Sequence, residues 1–129
     1  MILNCKPEFI APIEAGTKIH SMREDKHHRW RAGMKIQFYT GARTKNAKQF
    51  REGECTSVQQ VDIYRGSRNI MVLVDNRQLS DPEISQLAKN DGFTKINQLR
   101  DFFVPHEPLH MHELEEWHGR IIHWTDYKY

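Results

Sequence analysis

The chain has 129 residues, 38% of them hydrophobic and 28% charged, with 19 Lys and Arg against 17 Asp and Glu for a formal net charge of +2. That length predicts one domain over residues 1–129, and the hydrophobic share is enough for a small core, which argues against a disordered chain. The longest wholly apolar run, Ile70 to Val74, falls far short of the roughly 20 residues a membrane-spanning helix needs, so no membrane partner is expected.

Met1 to Lys6 shows no basic stretch leading into an apolar one, which predicts a cytoplasmic protein, and Cys5 and Cys55 fit no paired-thiol metal spacing and are read as free thiols. Phe9, Ile10 and Ile13 predict a short helix between Pro7 and Ala15, closed by Gly16. Lys18 to Arg23 alternates, with Ile19, Ser21 and Arg23 on one face and Lys18, His20 and Met22 on the other, and predicts a strand. Gly33 to Tyr39 alternates again, with Met34, Ile36 and Phe38 inward. Cys55 to Tyr64 offers Val58, Val61 and Ile63 to a further strand. Ile70 to Val74 predicts a strand buried on both faces, after a turn at Gly66-Ser67. Ser80-Asp-Pro-Glu83 is a helix-start signal, followed by Ile84, Leu87 and Ala88, with the stop at Asp91-Gly92. A second amphipathic helix is predicted from Thr94 to Phe103, ended by Pro105 and Pro108, and Gly119 to Trp124 predicts a last strand. With no internal repeat, the order of elements makes one α+β unit.

The small net charge conceals a polarised chain. From Lys18 to Arg51 there are ten basic and two acidic residues, a local charge of +8, which leaves −6 for the remainder. Trp30, Phe38, Tyr39 and Phe50 interleave with those cations, a mixture suited to phosphate neutralisation and base stacking; the plain alternative is a solvated face.

Within this segment, Gly16-x-Lys18-x-x-Ser21-x-Arg23 resembles the signature of the ASCH domain, and the resemblance continues through Arg29-Trp-Arg-Ala-Gly33, the next strand, the paired helices around Asp91-Gly92-Phe93 and the last apolar strand. It implies a PUA-like small β-barrel with flanking short helices, associated with RNA. Some proteins of this family are amidohydrolases that remove the acetyl group from N4-acetylcytidine, and others are ribonucleases or RNA binders. In the deacetylating members a Lys, a Thr and a Glu carry the chemistry. The match puts the Lys on Lys18 and the hydroxyl on Ser21, where Thr has become Ser. The acid falls on Asp91, where Glu has become Asp.

The chemistry of such a site is intelligible from the residues alone. A hydroxyl is a weak nucleophile that needs a neighbouring base, and a lysine serves if desolvation and nearby cations lower its pKa, with Arg23 as the source of that field. On an ideal strand, however, Lys18 and Ser21 face opposite sides, so the pair needs a bend near Ile19-His20. Lys18→Ala is expected to abolish binding or turnover with little loss of stability, and the alternative for all three residues is an exposed polar strand at a sheet edge.

His106, His110, His112, Glu113 and His118 concentrate metal-ligating types, but Leu109, Met111 and Leu114 predict a solvated acidic helix running on through Glu115 and Glu116, so no metal and no cofactor are expected. Trp124 reads as core, and Trp30, between Arg29 and Arg31, as a candidate for base stacking. The expectation is therefore a cleft with Lys18, Ser21 and Asp91 as catalytic residues and Arg23, Arg29, Trp30, Arg31, Arg43 and Lys45 as ligand contacts. The ligand expected there is RNA or a modified nucleoside, bound by a monomer or weak homodimer. A non-catalytic RNA-binding module, a ribonuclease of the same family, and a protein-interaction domain remain as alternatives.

Overall fold

The structure is a computed structural model and describes residues 1–66, 68–105 and 115–129. Strand β1 (Ile2–Asn4) leads into a 3-10 turn at Pro7–Phe9 and helix α1 (Ile10–Ala15), after which come β2 (His20–Arg23), β3 (Lys35–Thr40), β4 (Lys48–Glu54), β5 (Ser57–Arg65), β6 (Ile70–Val74) and β7 (Arg77–Gln78). Helices α2 (Asp81–Asn90) and α3 (Ile96–Phe103) and strand β8 (Glu115–His123) follow. Gly16 ends α1 in the left-handed conformation. At the start of α2 the Ser80 hydroxyl accepts from the Glu83 N–H while the Glu83 carboxylate accepts from the Ser80 N–H, a reciprocal cap of about 1 kcal/mol.

The strands form a sheet β1-β3-β4, with β1 parallel to β3, and a five-stranded sheet β2-β8-β5-β6-β7. The class is α+β, and among the described residues no ladder joins the two sheets into a closed ring. β8 lies between β2 and β5 and alternates faces: Ile121 enters a core with Val61, Ile63, Val72, Leu87 and Leu99, whereas Ile122 enters a second core with Leu3, Ile13, Trp30, Ile36 and Phe38. The strand buried on both faces is thus the end of β8 and not β6, where Met71 is exposed. The reason is the layer order, because the second core receives Ile122 and Val58 but no residue of β6.

Other expectations also shift. β2 begins at His20, so Lys18 precedes the strand. β1, β4 and β7 were not legible, since their residues carry no apolar alternation; β4 has no buried position. Glu115 and Glu116, expected to continue a helix, open β8 opposite Arg65 and Tyr64. His106, His110, His112 and Glu113 lie outside the described residues. Among the described residues no helix is long and apolar enough to cross a membrane.

Candidate functional site

β2 is the edge of its sheet, so side chains from both of its faces reach one opening, completed by β1 of the other sheet and by the elbow between α2 and α3. The cavity there encloses about 680 Å³ and is lined by Lys18, Ser21, Arg23 and Asp91. Phe9, Phe93, Phe102, Phe103 and Trp117 form an aromatic wall on the helix side.

Lys18 reaches this cavity because its segment leaves the sheet. Its N–H donates to the Pro12 carbonyl at 3.0 Å and that of Ile19 to the Asn90 carbonyl at 2.8 Å, which ties residues 18–19 to both helices. The Lys18 ammonium donates to the Asp91 backbone carbonyl at 2.6 Å and to Asp91 Oδ1 at 3.1 Å, and lies 4.6 Å from the centre of the Phe9 ring. Asp91 is the C-cap of α2, so the cation also meets the negative end of the helix. Both side chains are almost fully buried, at 4% and 3% exposure. Lys18→Ala would therefore leave Asp91 short of its cation, and the expected stability-neutral substitution is corrected to one costing about 3–5 kcal/mol.

Behind Asp91 runs a chain of hydrogen bonds that the sequence did not announce. His20 Nδ1 lies 3.1 Å from Asp91 Oδ1 and His20 Nε2 2.6 Å from the Tyr129 hydroxyl, which accepts from Asn90 Nδ2 at 2.9 Å. Burial lowers the His20 pKa against the opposing pull of Asp91, and burial raises that of Tyr129, so both are neutral at pH 7. The one order that satisfies every group has the Asn90 amide donating to Tyr129, the Tyr129 O–H to His20 Nε2 and His20 Nδ1–H to Asp91. His20 and Tyr129 are thus positioning residues for Asp91. The sequence placed His20 only on one strand face with Lys18 and Met22, and nothing in it signalled Tyr129.

On the other face of β2, Arg23 Nε donates to Ser21 Oγ at 3.1 Å and Arg23 Nη2 to the Asn4 carbonyl, so the guanidinium spans the seam between the sheets. Burial pulls the Arg23 pKa below the usual arginine value, and among the described residues no carboxylate pairs with it. Among the described residues the Ser21 hydroxyl accepts from Arg23 and donates to no acceptor, so its own hydrogen is free. No hydrogen bond joins Lys18 to Ser21.

Two glycines make room for the wall. Gly92 has φ of 96°, and a Cβ there would stand 3.0 Å from Phe9 Cδ1 and 3.2 Å from Lys18 Cδ. At Gly119 a Cβ would lie 2.5 Å from the Arg23 carbonyl oxygen and would overlap the Trp117 indole.

Of the expected ligand contacts, Arg43 lines a neighbouring cavity with Arg23, and Lys45 is exposed in the same loop. Arg29 and Arg31 are exposed but line neither cavity. Trp30 is corrected: it belongs to the second core at 7% exposure, with its N–H on Asp25 Oδ2 and its carbonyl accepting from Arg120, so its ring offers no open face. Of the histidine set, His118 is described, and its Nδ1 lies 2.6 Å from Asp62 Oδ1.

Comparison with family models, with curated proteins and with solved structures gives no match.

Proposed function

We propose that the protein binds RNA or a nucleotide in this cavity, as an ASCH-type domain of the PUA-like kind, and that the reaction the site would carry is hydrolysis of an acylated cytidine amide such as N4-acetylcytidine. The observation that carries the reading is the convergence of Lys18, Ser21, Arg23 and Asp91 on one cavity with an aromatic wall. The wall offers a base a stacking surface, and the charged side offers donors to its polar edge. The PUA-like assignment draws support from two packed sheets with the short helices at the mouth of the site.

In this scheme Ser21 Oγ attacks the acetyl carbonyl carbon and gives its proton to the Asp91 carboxylate, which the Lys18 ammonium, already protonated, holds in place. The C–N bond then breaks with that proton passing to N4 of cytidine, and water splits the acyl-serine to acetate. Asp91 reaches Lys18 despite being one methylene shorter than Glu.

A non-catalytic binding module is the second reading, favoured by Lys18 being committed to Asp91 with no bond to Ser21. Incubation with N4-acetylcytidine, followed by chromatography for cytidine, separates the two. Turnover that falls by about 100-fold or more in Ser21→Ala, with folding preserved, is the expected result. Absence of turnover together with salt-sensitive RNA binding would leave the module.

A further inference from the structure

A second cavity, of about 390 Å³, shares Asn4 and Arg23 with the first and is also lined by Tyr39 and Arg43. Its polar lining is rich in donors, and the Asn4 acceptors are already engaged by Arg23 and Ala42. Arg23, Arg43 and Tyr39 line it, each carrying a side-chain donor, and Asn4 has its Oδ1 engaged by the Ala42 N–H at 2.9 Å, which leaves its amide hydrogens free. Among the described residues no carboxylate lines it and neither Arg23 nor Arg43 is ion-paired; the acid that acts on Arg23, Asp91, does so from the first cavity. Two like charges at one partly desolvated cavity repel each other unless an anion lies between them. Arg43 is moreover held at φ of 67°, a region unusual for a residue other than glycine, in a loop braced by Thr44 Oγ1 on the Gly41 carbonyl at 2.6 Å.

We propose that this side cavity is a phosphate site, in which Arg23 and Arg43 hold the phosphate of a ligand whose base lies against the aromatic wall. The inference rests on the nucleotide reading above and sharpens it: the ligand is a phosphorylated nucleotide or an RNA strand, and a free nucleoside fills only half of the site. Arg23 is the hinge of the arrangement, because one guanidinium faces both cavities while its Nε remains on Ser21.

The test begins with inorganic phosphate, titrated into isotope-labelled protein at constant ionic strength while the Nε–Hε signals of Arg23 and Arg43 are followed. Phosphate should shift both signals saturably where chloride does not, and Arg43→Gln, a change on an exposed loop, should weaken the effect at Arg23 by at least about 10-fold. Phosphate behaving like chloride, or binding Arg43→Gln as tightly as the parent, overturns the proposal. The second arm compares cytidine with cytidine 5′-monophosphate and with a short oligocytidylate that carries phosphate only between its residues. A gain over cytidine that disappears in Arg43→Gln is expected; a gain for the monophosphate alone identifies a free nucleotide, and one for the oligomer an RNA strand. Cytidine bound with no gain from either phosphate form overturns the proposal and leaves base binding standing. Phosphate bound at Arg23 and Arg43 with no cytidine signal at Trp117 sustains the phosphate site and removes the base-binding reading.

Discussion

Asp91 receives Lys18 and His20 on the same carboxylate oxygen, in surroundings where neither partner can turn to water. Removing the acceptor leaves a cation and an imidazole N–H unmatched, so Asp91→Ala should cost about 3–5 kcal/mol in urea denaturation. Lys18→Met combined with Asp91→Leu removes the charges together and should recover a large part of that loss. A double-mutant cycle with coupling below about 0.5 kcal/mol would show the pair to be energetically idle. Lys18, Ser21, Arg23 and Asp91 were legible because a short motif and a helix-stop signal mark them. His20 and Tyr129 were not, because no local pattern links residues 109 positions apart. Trp30 misled for a related reason: flanking arginines describe the surface beside a residue and say nothing about whether its own ring turns inward.

Elements were legible where one face is apolar and the other polar. The capped start of α2, the alternation of β3 and the stop at Asp91-Gly92 follow from local chemistry, and the structure has all three. β4 escaped because none of its positions is fully buried and Phe50 alone packs against the second core, and the apolar run of β6 does not tell which face another layer will cover. The elbow between α2 and α3 shows what a single backbone position does for the site. Gly92→Ala would strain a positive φ and press a methyl group on both Phe9 and Lys18, so it should lower stability by about 1–3 kcal/mol and weaken any ligand of the cavity. Parent-like stability and binding in that variant would show that the elbow has slack.

For the molecule as a whole, acid is the expected weakness. Burial lowers the pKa of His20, and lowers that of His123 to about 3 from 6.5, so the unfolded chain binds more protons at these sites than the folded one. Their contribution to stability is complete above pH 6.5 and is lost as pH falls towards 3, by a few kcal/mol, on the order that linkage gives for buried histidines. His118 acts in the opposite sense, since its hydrogen bond to Asp62 raises its pKa and its contribution fades as pH rises through that value; being half exposed, it offsets little. Urea midpoints measured from pH 7.5 to 4 should decline steadily, and a flat profile would contradict the burial of the two histidines. The charge polarity read from composition also takes a more definite form. Lys18 lines the first cavity, Arg43 the side cavity and Arg23 both, whereas Arg29 and Arg31 line neither, so the basic segment is distributed and not gathered at one opening.

The pairing of β2 with β8 sets a schedule for assembly. His20 has no partner for its Nε2 until Tyr129 has been made, and the inner flank of β2 stays bare until β8 arrives to pair Ser21 with Ile122 and Arg23 with Arg120. During synthesis, His20, Ser21 and Arg23 must therefore wait for partners made about a hundred residues later. The cavity is thus built from pairings distant in sequence and not by any one local unit.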